Sequence, residues 1–354
     1  MQNKITLSTR NSNLELYRIL TMIVIVIHHY VVNSGLLEEM GKNMTEFKSI
    51  FLYIIGGGGK AGINCFVLIT GYFMCKSSVT LQKFLKLILQ ITFYNIVINL
   101  LFVVSGHLEL SFKSLLWLWP INKVSDYFTD AFILFYLFIP FLTILVQNMT
   151  QRQHKLLLLL TLFIYTGLYT IPWIFVNYNY ITWFSILFLI ASYIRLYPIP
   201  YKDNVKFWGV ASVISIGLGI LSILAIIYIK RTPIQYYFVA DSNSILALSI
   251  GVCTFMFFKN LKIKQSKWIN IIASTTFGVL LIHANSATMR TWLWKEVCDN
   301  VGYFSTPYIY LHALTVPLIV FVVCSIIEFI RMKTIERPLL QGAMKAINTF
   351  LNQK

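Results

Sequence analysis

Apolar runs long enough to cross a bilayer recur along the whole chain, and they constrain its fold more than any other feature. A helix needs about 20 predominantly apolar residues to span ~30 Å of hydrocarbon. Such runs lie near residues 13–33, 60–76, 84–105, 128–147, 156–172, 182–198, 207–229, 243–258, 268–285 and 308–330. Composition agrees, because only 12% of the 354 residues are charged, against roughly a quarter in soluble domains. The expected fold is all-α: a polytopic membrane protein of about ten transmembrane helices, with residues 1–354 as a single domain. The first run is too long for a cleaved signal peptide and contains Arg18.

An even number of spans puts both termini on one side. With the N-terminus inside, most of the 29 lysines and arginines fall on inner segments, Lys76, Arg152, Arg195, Lys259 and Arg331 among them. Lys42, Lys48, Arg290 and Lys295 fall outside. This is the bias of the positive-inside rule. It accounts for the net charge of +16 through an anionic inner leaflet, with no nucleic acid required. The five cysteines form no CxxC pattern, so reduced, structural thiols and no metal site are expected.

Some segments are not plain spans. Residues 47–55 are apolar but too short to cross, and they run into Gly56, Gly57, Gly58 and Gly59. They read as a short re-entrant or interfacial segment, with the glycines serving either as a hinge or as a point of close approach. Residues 110–120 resemble an interfacial stretch with tryptophans at headgroup level. The tail after Pro338 reads as an amphipathic helix on the inner surface.

The first span carries Glu15, Arg18, His28 and His29. Ionisable groups in a bilayer helix usually face protein and serve a function there. At about 100° per residue, Arg18 and His29 differ by only about 20° around the helix, and Glu15 lies about 60° from Arg18. His28 points about 100° away from His29. Glu15, Arg18 and His29 therefore make one polar stripe roughly 20 Å long, while a terminal ion pair plus an interfacial histidine pair is the blander reading. Further polar candidates are Lys60 and Asn64 in the second span, Asn95 and Asn99 in the third, and Asp130 near an outer mouth; Asn95, Asn99 and Asp130 could each serve as a structural hydrogen bond between helices, and the Asp130 carboxylate could equally bind a sugar hydroxyl. His283 and Asn285 end a later span, and Glu328 with Arg331 reads as a structural pair. Thr70 and Gly71 read as packing residues, and Lys83 and Lys86 as phosphate holders or lipid-interface anchors.

The stretches RNSNLELYRILTMIVIVIHHYVVNSG and GKAGINCFVLITGYFM resemble the acyltransferase-3 family of integral membrane acyltransferases. More narrowly, they look like bacterial capsule and exopolysaccharide O-acetyltransferases. Glu15, Arg18 and His29 fit the family's spacing of an acidic residue, an arginine three later and a histidine eleven after that. Residues 65–71 match its Phe-Phe-x-x-Ser-Gly-type stretch. Lys83 and Lys86 stand where the family often has Arg-x-x-Arg, a departure that weakens bidentate phosphate binding. Weaker echoes lie at residues 278–283 and 336–338.

The resemblance implies transfer of an acyl group, acetyl by expectation, from acetyl-CoA to a hydroxyl of a polysaccharide or its undecaprenyl-linked precursor. His29 would be the general base, with Glu15 holding Arg18 against the donor. Arg10, Lys83 and Lys86 would dock the coenzyme. Lys60, Asn64, Asn95, Asp130 and His283 would line the acceptor cavity, and backbone N–H groups of residues 56–59 are candidates for the oxyanion. The expected setting is the bacterial cytoplasmic membrane with both termini cytoplasmic, in contact with membrane lipid, and a homo-oligomer stays open. Two other classes also stay open: an exporter or flippase of a lipid-linked glycan, and a structural component of a polysaccharide assembly.

Overall fold

The computed structural model describes residues 11–111, 116, 118–121, 128–229 and 234–352. Every regular element among them is helical. In chain order the α-helices are α1 (Ser12–Val32), α2 (Leu36–Lys42), α3 (Phe47–Gly56), α4 (Gly59–Met74), α5 (Leu81–Val104), α6 (Phe128–Asn148), α7 (Gln151–Leu162), α8 (Tyr180–Leu196), α9 (Val205–Tyr228), α10 (Ile245–Asn260), α11 (Lys267–His283), α12 (Ala287–Thr291), α13 (Asn300–Phe304), α14 (Ile309–Thr334) and α15 (Glu336–Asn352), with short π or 3-10 turns extending α7 and α12.

Among the described residues, six helical spans are long and apolar enough to cross a membrane: α1, α3 with α4, α5, α6, α9 and α14. A seventh arises if α11 and the helix resuming at Ala287 count as one span bent by 96°. The helices α8 and α10 are apolar but shorter. The chain is thus a multi-pass membrane protein, and these lengths do not confirm a count of ten. Contacts place the start of α1 and the end of α14 at one end of the bundle. Ser12 Oγ donates to Asn270 Oδ1 at 3.1 Å, and one turn along α11 Ser274 meets Met332.

Residues 47–55 are not a separate re-entrant piece. They form α3, which continues into α4 as a 28-residue span from Phe47 to Met74. The glycines between them serve close packing. A Cβ at Gly58, Gly59 or Gly62 would come within 2.6 Å of Val24, 2.1 Å of His28 and 2.7 Å of Ile25. Small residues let two helix backbones approach in this way where no hydrophobic force acts between them. The broken helix lies elsewhere, after His283. The chain restarts there because Ser286 caps the new helix, its Oγ accepting from the Met289 N–H at 3.1 Å.

The hub is α1, which packs against α3, α4, α10, α11 and α14. Protein rather than lipid surrounds much of it, so its ionisable side chains are tolerated in an otherwise apolar helix. Near the basic end, Glu328 is 1% and Arg331 4% exposed. The Glu328 carboxylate accepts from Gln90, Tyr94 and twice from Arg331, at 2.6–2.9 Å. Gly278 makes room for it, since a Cβ there would lie 2.4 Å from the Glu328 side chain. Arg331 also donates to Glu336, which pairs with Lys86 at 2.7 Å and so ties α15 to α5. The structural reading of this pair fits its geometry.

Candidate active site

At the far end of α1 from Ser12 the bundle encloses a cavity of about 350 Å³. Its walls come from α1 (Met22, Ile25, His28, His29), α4 (Gly59, Lys60, Ile63, Phe66), α5 (Asn95), the start of α6, Tyr180 of α8, and both sides of the break after α11. That break contributes Leu280, Leu281, Ala284, Asn285 and Arg290.

His29 sits on this wall, and its Nδ1 lies 2.9 Å from Nε2 of His283, with ring centroids 5.1 Å apart. His283 is fully buried, and its Nδ1 donates to the Val279 carbonyl at 2.6 Å. It backs the wall without lining it, which corrects its expected place. His28 does line the cavity, although the helical wheel turned it away from His29. A wheel counts angles from one axis, whereas the cavity wraps around that side of α1. The His28 Nδ1 donates to the Gly56 carbonyl at 2.6 Å, and the ring lies against Gly59.

Also on the wall, Lys60 Nζ donates to the Tyr180 hydroxyl at 2.9 Å. Asn285 Nδ2 donates to Asn95 Oδ1 at 3.2 Å, and Asn95 Nδ2 donates to the Trp119 carbonyl at 3.3 Å. Arg290 lines the same space from α12. The result is an imidazole in an apolar bundle, ringed by cationic, hydroxyl and amide donors. Such a site can take a proton from a hydroxyl and stabilise a developing negative charge.

The sequence model of one protein family, described as an acyltransferase domain, matches residues 11–328. The chain belongs to the acyltransferase-3 family. It is a membrane acyltransferase, and the resemblance carried by α1 and α4 extends over nearly its whole length. No curated protein and no solved structure matches it.

Other expected site residues of this acyltransferase lie apart from the cavity. Glu15, 6% exposed, accepts from Arg18 Nη1 at 3.2 Å, and neither lines the wall. The polar stripe is therefore divided, with an ion pair toward one end of α1 and His29 toward the other. Asn64 is a packing residue: its Nδ2 donates to the Ser242 carbonyl at 2.7 Å, and its Oδ1 accepts from Trp183 at 2.8 Å. Asp130 is buried beside Thr129, within the first turn of α6, and lies off the wall. Lys83 Nζ donates to the Ser78 carbonyl at 3.0 Å, and Lys86 is paired with Glu336. Arg10 lies outside the described residues. Of the glycine N–H groups expected to face an oxyanion, that of Gly57 donates to the Ile54 carbonyl, while Gly59 opens α4, where helix N–H groups have no partner within the helix. Thr70 and Gly71 pack as expected, the hydroxyl donating to the Phe66 carbonyl and the glycine facing Phe188 and Ala191.

The sequence reading missed Arg290 and Tyr180. Arg290 counted only as an outer charge. The one available signal was the pair Asn285-Ser286 closing an apolar run, which marks a helix stop and restart.

Proposed function

We propose that this acyltransferase moves an acetyl group from acetyl-CoA to a sugar hydroxyl, on a cell-surface polysaccharide or its lipid-linked precursor. The observation that carries this reading is His29 on the wall of a donor-lined cavity. The volume falls within the ~300–1,000 Å³ usual for small-ligand sites.

A sugar hydroxyl attacks the thioester carbonyl while His29 takes its proton. The tetrahedral intermediate carries a negative oxygen, for which we assign Lys60 and Arg290 as the stabilising charges. Collapse of the intermediate breaks the C–S bond. The coenzyme leaves as a thiolate and recovers the proton from His29, giving ester and free thiol. Glu15 holds Arg18 for the donor in this scheme.

The basic end of the bundle, with Lys83, Lys86 and Arg195, is the side we assign to the cytoplasm, where the polyanionic donor is drawn in. Both termini then face the cytoplasm of a bacterial cell, and His29 lies about 16 Å above Arg18 toward the outer leaflet. The test is radiolabelled acetyl-CoA added to the reconstituted protein with a lipid-linked oligosaccharide or a finished glycan. Label in the glycan is the expected result. Intact donor with both acceptors, at wild-type expression, would overturn the reading.

A further inference from the structure

The contact between α1 and the end of α11 decides which nitrogen of His29 is available for chemistry. A backbone carbonyl can only accept a hydrogen bond. Val279 O lies 2.6 Å from His283 Nδ1, so that nitrogen carries a proton. A neutral imidazole has one N–H, so His283 Nε2 presents a lone pair. That lone pair faces His29 Nδ1 at 2.9 Å. Two lone pairs at this distance would repel, so His29 Nδ1 is the donor. The proton of a neutral His29 is thereby fixed on Nδ1, and Nε2 keeps its lone pair. A doubly protonated His283 is the other arrangement that fits both distances. It would bury a full charge at 0% exposure, against a carbonyl and a second imidazole, which low-dielectric surroundings penalise heavily.

We propose that His283 is a positioning residue. It holds His29 in the Nδ1–H tautomer and in the ring orientation that leaves Nε2 as the base. This rests on the reading of His29 as the general base. A free imidazole divides itself between two tautomers and rotates about its side-chain bonds; the contact with His283 removes both freedoms. The fold makes His283 rigid enough for this task. Its own N–H is bound within the last turn of α11, and Trp294, beyond the break, stands edge-on to its ring at 6.4 Å. When His29 takes the hydroxyl proton it becomes a cation, and its bond to His283 turns into a charge-assisted one. Such bonds are stronger than neutral ones. The interaction thus strengthens as the transition state forms, which is the condition for raising kcat rather than lowering KM.

Two substitutions separate positioning from anchoring. In His283→Gln the terminal amide reaches the place of Nε2, and its oxygen can accept from His29. In His283→Asn the shorter amide reaches only the place of Nδ1; it keeps the bond to Val279 but gives His29 no acceptor. Positioning predicts that His283→Asn loses roughly 10- to 100-fold in kcat, by analogy with the loss when the partner orienting a metal-bound imidazole is removed. KM should hold, and His283→Gln should recover most of the rate. Rates are taken per folded protein, with the unfolding midpoint of each variant measured in detergent. In a His29→Ala background, His283→Asn should cost nothing further, because groups acting as a unit are non-additive. Equal losses for Gln and Asn, or a rate that follows the unfolding midpoint, would make His283 a structural anchor and overturn the proposal. Wild-type activity in His29→Ala would overturn the base itself, and the positioning role with it.

Discussion

Glu328 and His29 both sit in apolar helices, yet the bundle treats them in opposite ways. Around Glu328, both carboxylate oxygens accept two bonds each, from Gln90, Tyr94 and Arg331, and Gly278 closes the remaining space. Around His29, one ring nitrogen is bound to His283 and the ring faces a cavity. A buried ion whose bonds are all made holds helices together and has nothing to offer a substrate. A ring fixed on one edge and open on the other is ready for a reactant. Intramembrane polarity by itself therefore does not mark a site; capacity left facing a cavity does.

The comparison breaks most sharply on rate. His29→Ala should lower acyl transfer by about 10²–10⁴-fold, the usual loss for a general base. His28→Ala should cost less, because its Nδ1 serves the Gly56 carbonyl. Transfer of labelled acetyl groups at matched membrane expression checks both, and the reverse ranking would move the base to His28.

At the other region the effect should appear as stability. Glu328→Ala leaves the buried Arg331 with Glu336 as its remaining carboxylate and removes the acceptor of Gln90 and Tyr94, and breaking a buried pair typically costs about 3–5 kcal/mol. Thermal unfolding in detergent should register the loss, while the protein that stays folded keeps its kcat. A loss of kcat without a loss of stability would assign Glu328 to the chemistry instead.

One substitution sharpens the contrast by being made twice. Gly278→Ala drives a methyl into Glu328, and Gly59→Ala drives one into His28. Overpacking of this kind costs about 1–3 kcal/mol. Both variants should lose stability, but only Gly59→Ala should also change the rate per folded molecule, because His28 lines the cavity.

The smallest effect concerns the join between α15 and α5. Burial works to raise the Glu336 carboxyl, but hydrogen bonds and charge from Lys86 and Arg331 outweigh it and hold the group below the ordinary carboxylate value. A folded-state value below the unfolded one contributes stability at neutral pH, and that contribution disappears as pH falls through the folded value. Acidification through that window should loosen α15, read as lower hydrogen-exchange protection over residues 336–349 once each rate is divided by the intrinsic rate at that pH, with little change near His29.

Much of this was legible in the sequence because charges stand out against apolar runs. Glu15, Arg18 and His29 announced α1, and the pairing of Glu328 with Arg331 followed from their spacing on one helix. What the sequence hid depends on distant partners. His283 meets His29 across 254 positions, and no periodicity encodes that contact. Asn64 looked available until Trp183 and Ser242 took up its amide. Residues 47–55 looked too short to cross because the glycines after them read as a break, whereas the helices continue through them. Angular position on α1 failed for His28 because a cavity wall can cover more of a helix than one narrow stripe.

The run from Gly56 to Gly59 has a consequence for how this chain can vary over generations. Every amino acid that replaces glycine adds a Cβ, and at each of these four positions that carbon would come within 3 Å of a neighbouring side chain. Gly41, Gly217 and Gly342 have nothing within 4 Å of such a carbon. A library of all single substitutions, scored for surviving function, should therefore show a trough four positions wide at 56–59 and near-neutral alanine at 41, 217 and 342. The stretch that looks simplest in composition is the one with the fewest permitted spellings.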